Sequence, residues 1–394
     1  MMTPSSARAD VMSWLDEQQP AMVDLLERIV NIDSGSYDHA GVDAVGEAIK
    51  AHLEQRGIAT EVVARPGAAF CLTARVDPPE AADNAPSVLM MGHRDTVFAK
   101  GEAARRPFRV EDGKGFGPGV ADMKCGLVMN CFVAEAFHRF GGHDRPITLL
   151  FTSDEEIGSP SSGPVIEAMA RGASLVFNSE PGRPSGNIVT GRKGAWFSKL
   201  GVHGVAAHSG SAHEKGASAI LALCRKVEAL TALTDYESGM TVNVGLIEGG
   251  QSANTVPPFA RASLDIRYRS KADLPAIEAA VRTIVDRTDV EHTRAEIEQP
   301  VIFPPLESTP ANQALFERYR RASADLGFEV GEEFSGGAAD SGFTSALGVP
   351  TLCAVGPIGE KGHQPDEAVH VESLVPRAKA VAATILALAE RPLD

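Results

Sequence analysis

Three apolar runs constrain the fold more than any other feature of this chain: SVLMMGHRD (87–95), ITLLFTSDEE (147–156) and SLVFNSEPG (174–182). Each begins as a short, continuously apolar stretch, the pattern of a strand buried on both faces. Each then runs directly into polar, ionisable residues: His93 and Asp95, Glu155 and Glu156, and Glu180. Helix-period patterns at 10–31, 42–56 and 126–140 alternate with these runs and with strand-like stretches at 60–63 and 70–76. That alternation predicts an α/β fold, a mixed, largely parallel sheet flanked by helices.

The texture changes near residue 190. Strand-like 196–202, helical 216–233, strand-like 240–247 and 260–268, and helical 271–287 make a smaller α+β module. A chain of 394 residues is too long for one ordinary core. The expected organisation is a main domain in two parts, 1–191 and 301–394, with the module 192–300 inserted. The final helix is expected at 375–390, and GKGFGPG (113–119) reads as a hairpin turn.

Charge narrows the partners. The net charge of −15, with no Lys/Arg-rich run, repels phosphate backbones, so no nucleic acid is expected. No apolar run reaches the roughly 18–20 residues of a membrane span, so no membrane partner is expected either. The opening residues lack a basic segment followed by an apolar one. The five cysteines have no close CxxC spacing, which fits free thiols in a reducing cytoplasm.

In α/β sheets, sites form beyond the carboxyl ends of strands. The strand-end residues would therefore gather at one rim, joined by Asp122 from the glycine-rich loop GPGVADMKCG (117–126) and by His363 from GHQPDE (362–367). Each has a structural reading on its own: a hydrogen-bonded histidine, a solvated acidic pair, a turn residue at Glu180, a helix cap at Asp122. Together, two His and several carboxylates form a nitrogen and oxygen donor set suited to Zn²⁺ and similar cations. So many donors suit two cations bridged by one carboxylate better than one cation.

With these segments in view, the sequence resembles the dizinc aminoacylase and carboxypeptidase family, most closely its folate-cleaving glutamate carboxypeptidases, the carboxypeptidase G group. The motifs are MGHRDTVF (91–98), FGPGVADMKCG (116–126), TSDEEIGS (152–159), NSEPG (178–182), GVHGVAAHSG (201–210), SANTVP (252–257), LDIRYR (264–269), GGAADSGF (336–343) and GHQPDEAVH (362–370). The resemblance implies that His93 and Glu180 bind one zinc, that His363 and Glu156 bind the other, and that Asp122 bridges them. Asp95 would orient His93, and Glu155 would be the general base. It implies a cis peptide at Asp122–Met123, although Met123 stands where such carboxypeptidases often carry a second Asp.

It further implies that the inserted module is a lid and dimerisation domain of a homodimer, with His208 reaching the partner's site. Arg267 and Asn254, with the amides of Gly336 and Gly337, would grip a free carboxylate; pairing of Arg267 with Asp265 is the structural alternative. The implied reaction is zinc-dependent hydrolysis (cobalt and manganese suit the same donors) of a small amide or peptide with a free carboxylate, releasing a C-terminal amino acid such as glutamate. N-acyl-amino-acid deacylases of the acetylornithine or succinyl-diaminopimelate type and dipeptidases use the same chemistry. A metal-dependent binding protein is the reading outside catalysis.

Overall fold

The computed structural model describes residues 4–78 and 85–390. The chain divides into two compact units. One runs up to Gly191 and resumes over Ser308–Ser335 and from Asp340 onward; the other is Arg192–Glu307 with Gly336–Ala339.

The larger unit is built on an eight-stranded sheet in the order Thr60–Val63, Cys71–Val76, Ile147–Thr152, Ser87–His93, Ala173–Asn178, Thr351–Cys353, Ile188–Arg192, Glu332–Ser335. The apolar runs form its centre: Ile147–Thr152, Ser87–His93, Ala173–Asn178 and Thr351–Cys353 are parallel neighbours. Every residue of Ser87–His93 and of Ile147–Thr152 is buried. Because side chains alternate along a strand, Val88 and Met90 join the apolar cluster containing the helices Cys125–Phe140 and Leu374–Glu390. Leu89 and Met91, facing the other way, are equally buried. Both faces are thus covered, which accounts for the continuous apolar pattern.

The predicted helical stretch 10–31 is two helices, Pro4–Asp16 and Gln19–Val30. Pro20 sits in the first turn of the second, where its missing N–H costs nothing. The 113–119 stretch is only in part a hairpin turn: Gly113 lies in the turn, Lys114–Phe116 is the second strand of a hairpin with Arg109–Glu111, and 117–119 lies beyond that hairpin. Asp112 and Gly113 make its turn with φ of 50° and 77°, the left-handed pair of a type I′ turn.

The smaller unit is a five-stranded antiparallel sheet with the helices Ala219–Thr231 and Leu274–Asp286 and its own apolar cluster. It extends past the expected edge at 300 because Val301–Phe303 pairs with Gly194–His203 inside this sheet. It also takes in 336–339: Nη1 of Arg192 donates to the carbonyls of Gly337 and Ala338 at 3.2 and 3.4 Å.

Candidate metal centre

Strand register brings the donors together. His93 ends its strand directly opposite Thr152, after which the chain turns through Asp154, Glu155 and Glu156. On the other side Met91 pairs with Asn178, so Glu180 leaves the sheet at the same edge. Asp122 comes from the loop ahead of Cys125–Phe140. His363 lies in the connection between Gly359–Glu360 and Ala368–His370. Ala368 pairs with Phe116, which draws that connection toward the Asp122 loop.

Two donor sets result. His93, Asp122 and Glu180 form one and Asp122, Glu156 and His363 the other, with the ligand atoms in each within 4.8 Å of one another. Asp122 belongs to both. Its Oδ1 lies 3.1 Å from Nε2 of His93, and its Oδ2 lies 3.3 Å from Nε2 of His363. Glu180 Oε1 is 3.8 Å from His93 Nε2, and Glu156 Oε2 is 3.1 Å from His363 Nε2. The Asp122–Met123 peptide is cis, as expected. His363 has φ of 66°, a conformation uncommon outside glycine and found preferentially at functional sites.

Asp95 organises both sets. Nδ1 of His93 donates to the Asp95 carbonyl at 3.0 Å, with the Asp95 carboxylate 3.4 Å away, so Nε2 is the atom offered to a cation. The same carboxylate, fully buried, accepts from Ser36 Oγ at 2.7 Å and from the amides of Glu155 and Glu156, each at 3.1 Å. Asp154 has a separate task, accepting from the amides of Ser161 and Ser162 at 2.7 and 3.1 Å.

The donors fit a pair of divalent cations. Burial opposes a charge on His93, yet Asp122 and Asp95 raise its pKa well above the ordinary value. His363 is pushed up to about 10 by hydrogen bonds to Asp122 and Glu156. The field at both imidazoles therefore favours positive charge. Among the described residues, buried Oε1 of Glu156 has no hydrogen-bond partner, an acceptor whose desolvation a cation would offset. Burial also raises the Glu155 carboxyl well above its usual range, against the pull of His93 and with a further push from Glu180, Asp340 and Glu156.

Two buried acids that the sequence left without a role hold segments next to the donors. Glu367 accepts from the amides of Gly119, Ala121 and Asp122. Asp340 accepts from Thr152 Oγ1 at 3.0 Å and from Ser159 Oγ, and burial pushes it up to about 7. Both lie inside motifs already singled out, GHQPDEAVH and GGAADSGF.

The remaining predicted residues lie in the smaller unit. Arg267 is engaged by Asp265 through Nε and Nη2 at 2.6 and 3.0 Å and lies over the Phe197 ring. His208 is exposed, and its Nδ1 accepts from the amides of Gly210 and Ser211 at 3.1 and 3.3 Å, so its proton sits on Nε2. Asn254 Oδ1 accepts from Ser252 Oγ. Gly337 turns its carbonyl to Arg192, and Gly336 beside it is exposed.

Comparison with known proteins gives the family. The model of peptidase family M20/M25/M40 matches residues 89–387. Carboxypeptidase G2 of Pseudomonas sp. (strain RS-16) is 29% identical over 94% of this chain and 89% of its own. Succinyl-diaminopimelate desuccinylase of Xanthomonas oryzae pv. oryzae (strain MAFF 311018) is 29% identical over 74% and 80%. A tripeptidase structure from Staphylococcus aureus superposes with a TM-score of 0.75 at 19% identity, covering 95% of this chain and 99% of its own. The chain is a metallo-carboxypeptidase-type peptidase or amidohydrolase and belongs to peptidase family M20/M25/M40.

Proposed function

We propose that this protein is a dinuclear, zinc-dependent amide hydrolase that releases a C-terminal amino acid, glutamate foremost, from an N-acyl or folate-like conjugate. The observation that carries this reading is the position of Asp122, with one carboxylate oxygen turned to each donor set. His93 and Glu180 would hold one cation and His363 and Glu156 the other, with Asp122 shared. When bound, such a pair supplies Lewis acidity and a water acidic near neutral pH.

The chain's own residues do the rest. Asp95 fixes the His93 ring and the main chain of both glutamates. Glu155 takes the proton at its carboxylate and returns it to the leaving nitrogen. His208 offers an N–H at Nε2 for the developing oxyanion. Arg267 grips the substrate carboxylate through the guanidinium edge that Asp265 leaves open, with Asn254, Gly336 and Gly337 alongside.

We further propose a homodimer in which His208 serves the partner's site. Its support is the edge strand Thr241–Gly249, on which Leu246 and Ile247 are 65% and 54% exposed, a surface suited to a second copy. Five free cysteines, four of them buried, agree with a cytoplasmic setting; no described helix is long and apolar enough to cross a membrane. A second reading, an N-acyl-amino-acid deacylase, is favoured by the likeness to the desuccinylase.

Hydrolysis rates on N-acyl-glutamates, N-succinyl-diaminopimelate, N-acetylornithine and dipeptides separate the two readings. Glu155→Gln is expected to keep both cations and lose about 10²–10⁴-fold in kcat. Full hydrolysis by that variant would remove Glu155 as the base.

A further inference from the structure

We propose that Glu367 is a positioning residue of the metal centre: its buried carboxylate holds the Asp122 loop in the arrangement that receives the cations. This rests on the dinuclear reading above.

The argument starts from main-chain groups that have no regular partner. Residues 119–123 do not follow one helix; Asp122 and Met123 depart from helical dihedrals (φ −109°, ψ 93° and φ −131°, ψ 36°). Buried amides in such a loop must find acceptors elsewhere. Gly119, at φ 70°, turns the chain so that several N–H groups converge, a concavity suited to an anion. Glu367 fills that place. Its Oε1 accepts from the amides of Ala121 and Asp122, both at 2.8 Å, and its Oε2 accepts from Gly119 at 3.0 Å.

The side chain is fully buried, and these three amides are the hydrogen bonds that offset its desolvation.

The other end of Glu367 matters equally. It stands four residues after His363 and one before the strand Ala368–His370, whose pairing with Lys114–Phe116 fixes it in register. A single carboxylate therefore ties the segment carrying Asp122 to the segment carrying His363. Those two segments supply two of the three donors of the second set. Three converging N–H groups need acceptors alone, which a carboxylate provides on both oxygens. A glutamine would set its NH₂ against at least one of them.

The test uses the full-length protein stripped of metal, as native, E367Q and E367D. Zn²⁺ is titrated calorimetrically into each, and the melting temperature of each metal-free form is recorded. The native protein is expected to take two cations. E367Q is expected to lose 10–100-fold in affinity for at least one of them, about the effect of removing a partner that orients metal ligands, while the lost amide acceptor lowers the metal-free Tm by no more than a few degrees. E367D keeps both oxygens but withdraws them by one methylene, and is expected to fall between the two. Should E367Q fail to fold, E367D decides by the same measurement.

A native protein that takes up fewer than two cations overturns the dinuclear reading and this inference with it. If the native protein takes two and E367Q binds them equally tightly, the inference alone is overturned. The same holds if E367Q lowers Tm without changing the affinity, since Glu367 would then serve the fold only.

Discussion

His52 has little room to carry a proton. Its side chain is 3% exposed and lies 5.2 Å, ring to ring, from Phe132. Burial pushes its pKa down to about 3, and Arg56 and Arg28 push the same way. Glu135 stands 4.0 Å away, but its charge is already taken by Arg56 and Arg139, both at 2.7 Å. In the unfolded chain His52 titrates near its ordinary value of about 6.5. The unfolded state therefore binds the proton first as pH falls. The stability that neutral His52 provides is complete above pH 6.5 and is lost progressively toward pH 3.

We expect His52 to account for about 1–3 kcal/mol of stability lost between pH 7 and 4.5. Denaturant unfolding of native protein and His52→Gln at both pH values checks this; equal pH dependence in the two would refute it. At this scale the sequence showed which residue types could bind metal, because they follow apolar runs directly. It did not show what holds them. Glu367 meets its donors across 245–248 residues and Asp340 meets Ser159 and Thr152 across 181–188. No local pattern encodes contacts that distant.

The helix Cys125–Phe140 shows how closely elements must approach to set the site. A Cβ added at Gly126 would lie 1.9 Å from the carbonyl oxygen of Ser179, the residue before Glu180. Ser179 is also tied to this helix through its Oγ, which donates to Asn130 at 2.7 Å. The absence of a side chain at 126 is what lets the helix start rest on the chain leading to Glu180. Gly126→Ala gains about 1 kcal/mol of helix propensity. It must also push the helix from the strand end, overpacking that costs typically 1–3 kcal/mol or more.

The expected result for Gly126→Ala is a lower Tm together with weaker cation binding, read by calorimetry and metal titration. A variant as stable as native and binding as tightly would show that the approach is not limiting. The central strands were legible because burial on both faces writes an unbroken apolar run. The break between the first two helices was not, because both sides carry the same apolar period and only Pro20 marks it. The two-residue strand Gly359–Glu360 and the three-residue Ala368–His370 were missed too, since strands this short have no period to detect.

At the scale of the molecule, the two units have separate apolar clusters with no residue in common. Every residue of both donor sets lies in the larger unit, and none lies within 192–307 or 336–339. A ligand that binds only folded protein stabilises what it binds, by about 2.7 kcal/mol at a hundred times its dissociation constant. Cations should therefore raise the unfolding of the larger unit and leave the smaller one where it was. Scanning calorimetry is expected to resolve two transitions, with Zn²⁺ moving one. The stationary transition should be assigned to the smaller unit by the fluorescence of Trp196, which is buried in its cluster while Trp14 reports on the other. A single transition that shifts as a whole would mean that the cores do not unfold independently. If the transition reported by Trp196 moved with Zn²⁺ while that of Trp14 stayed, the cations would not be bound by the residues named above.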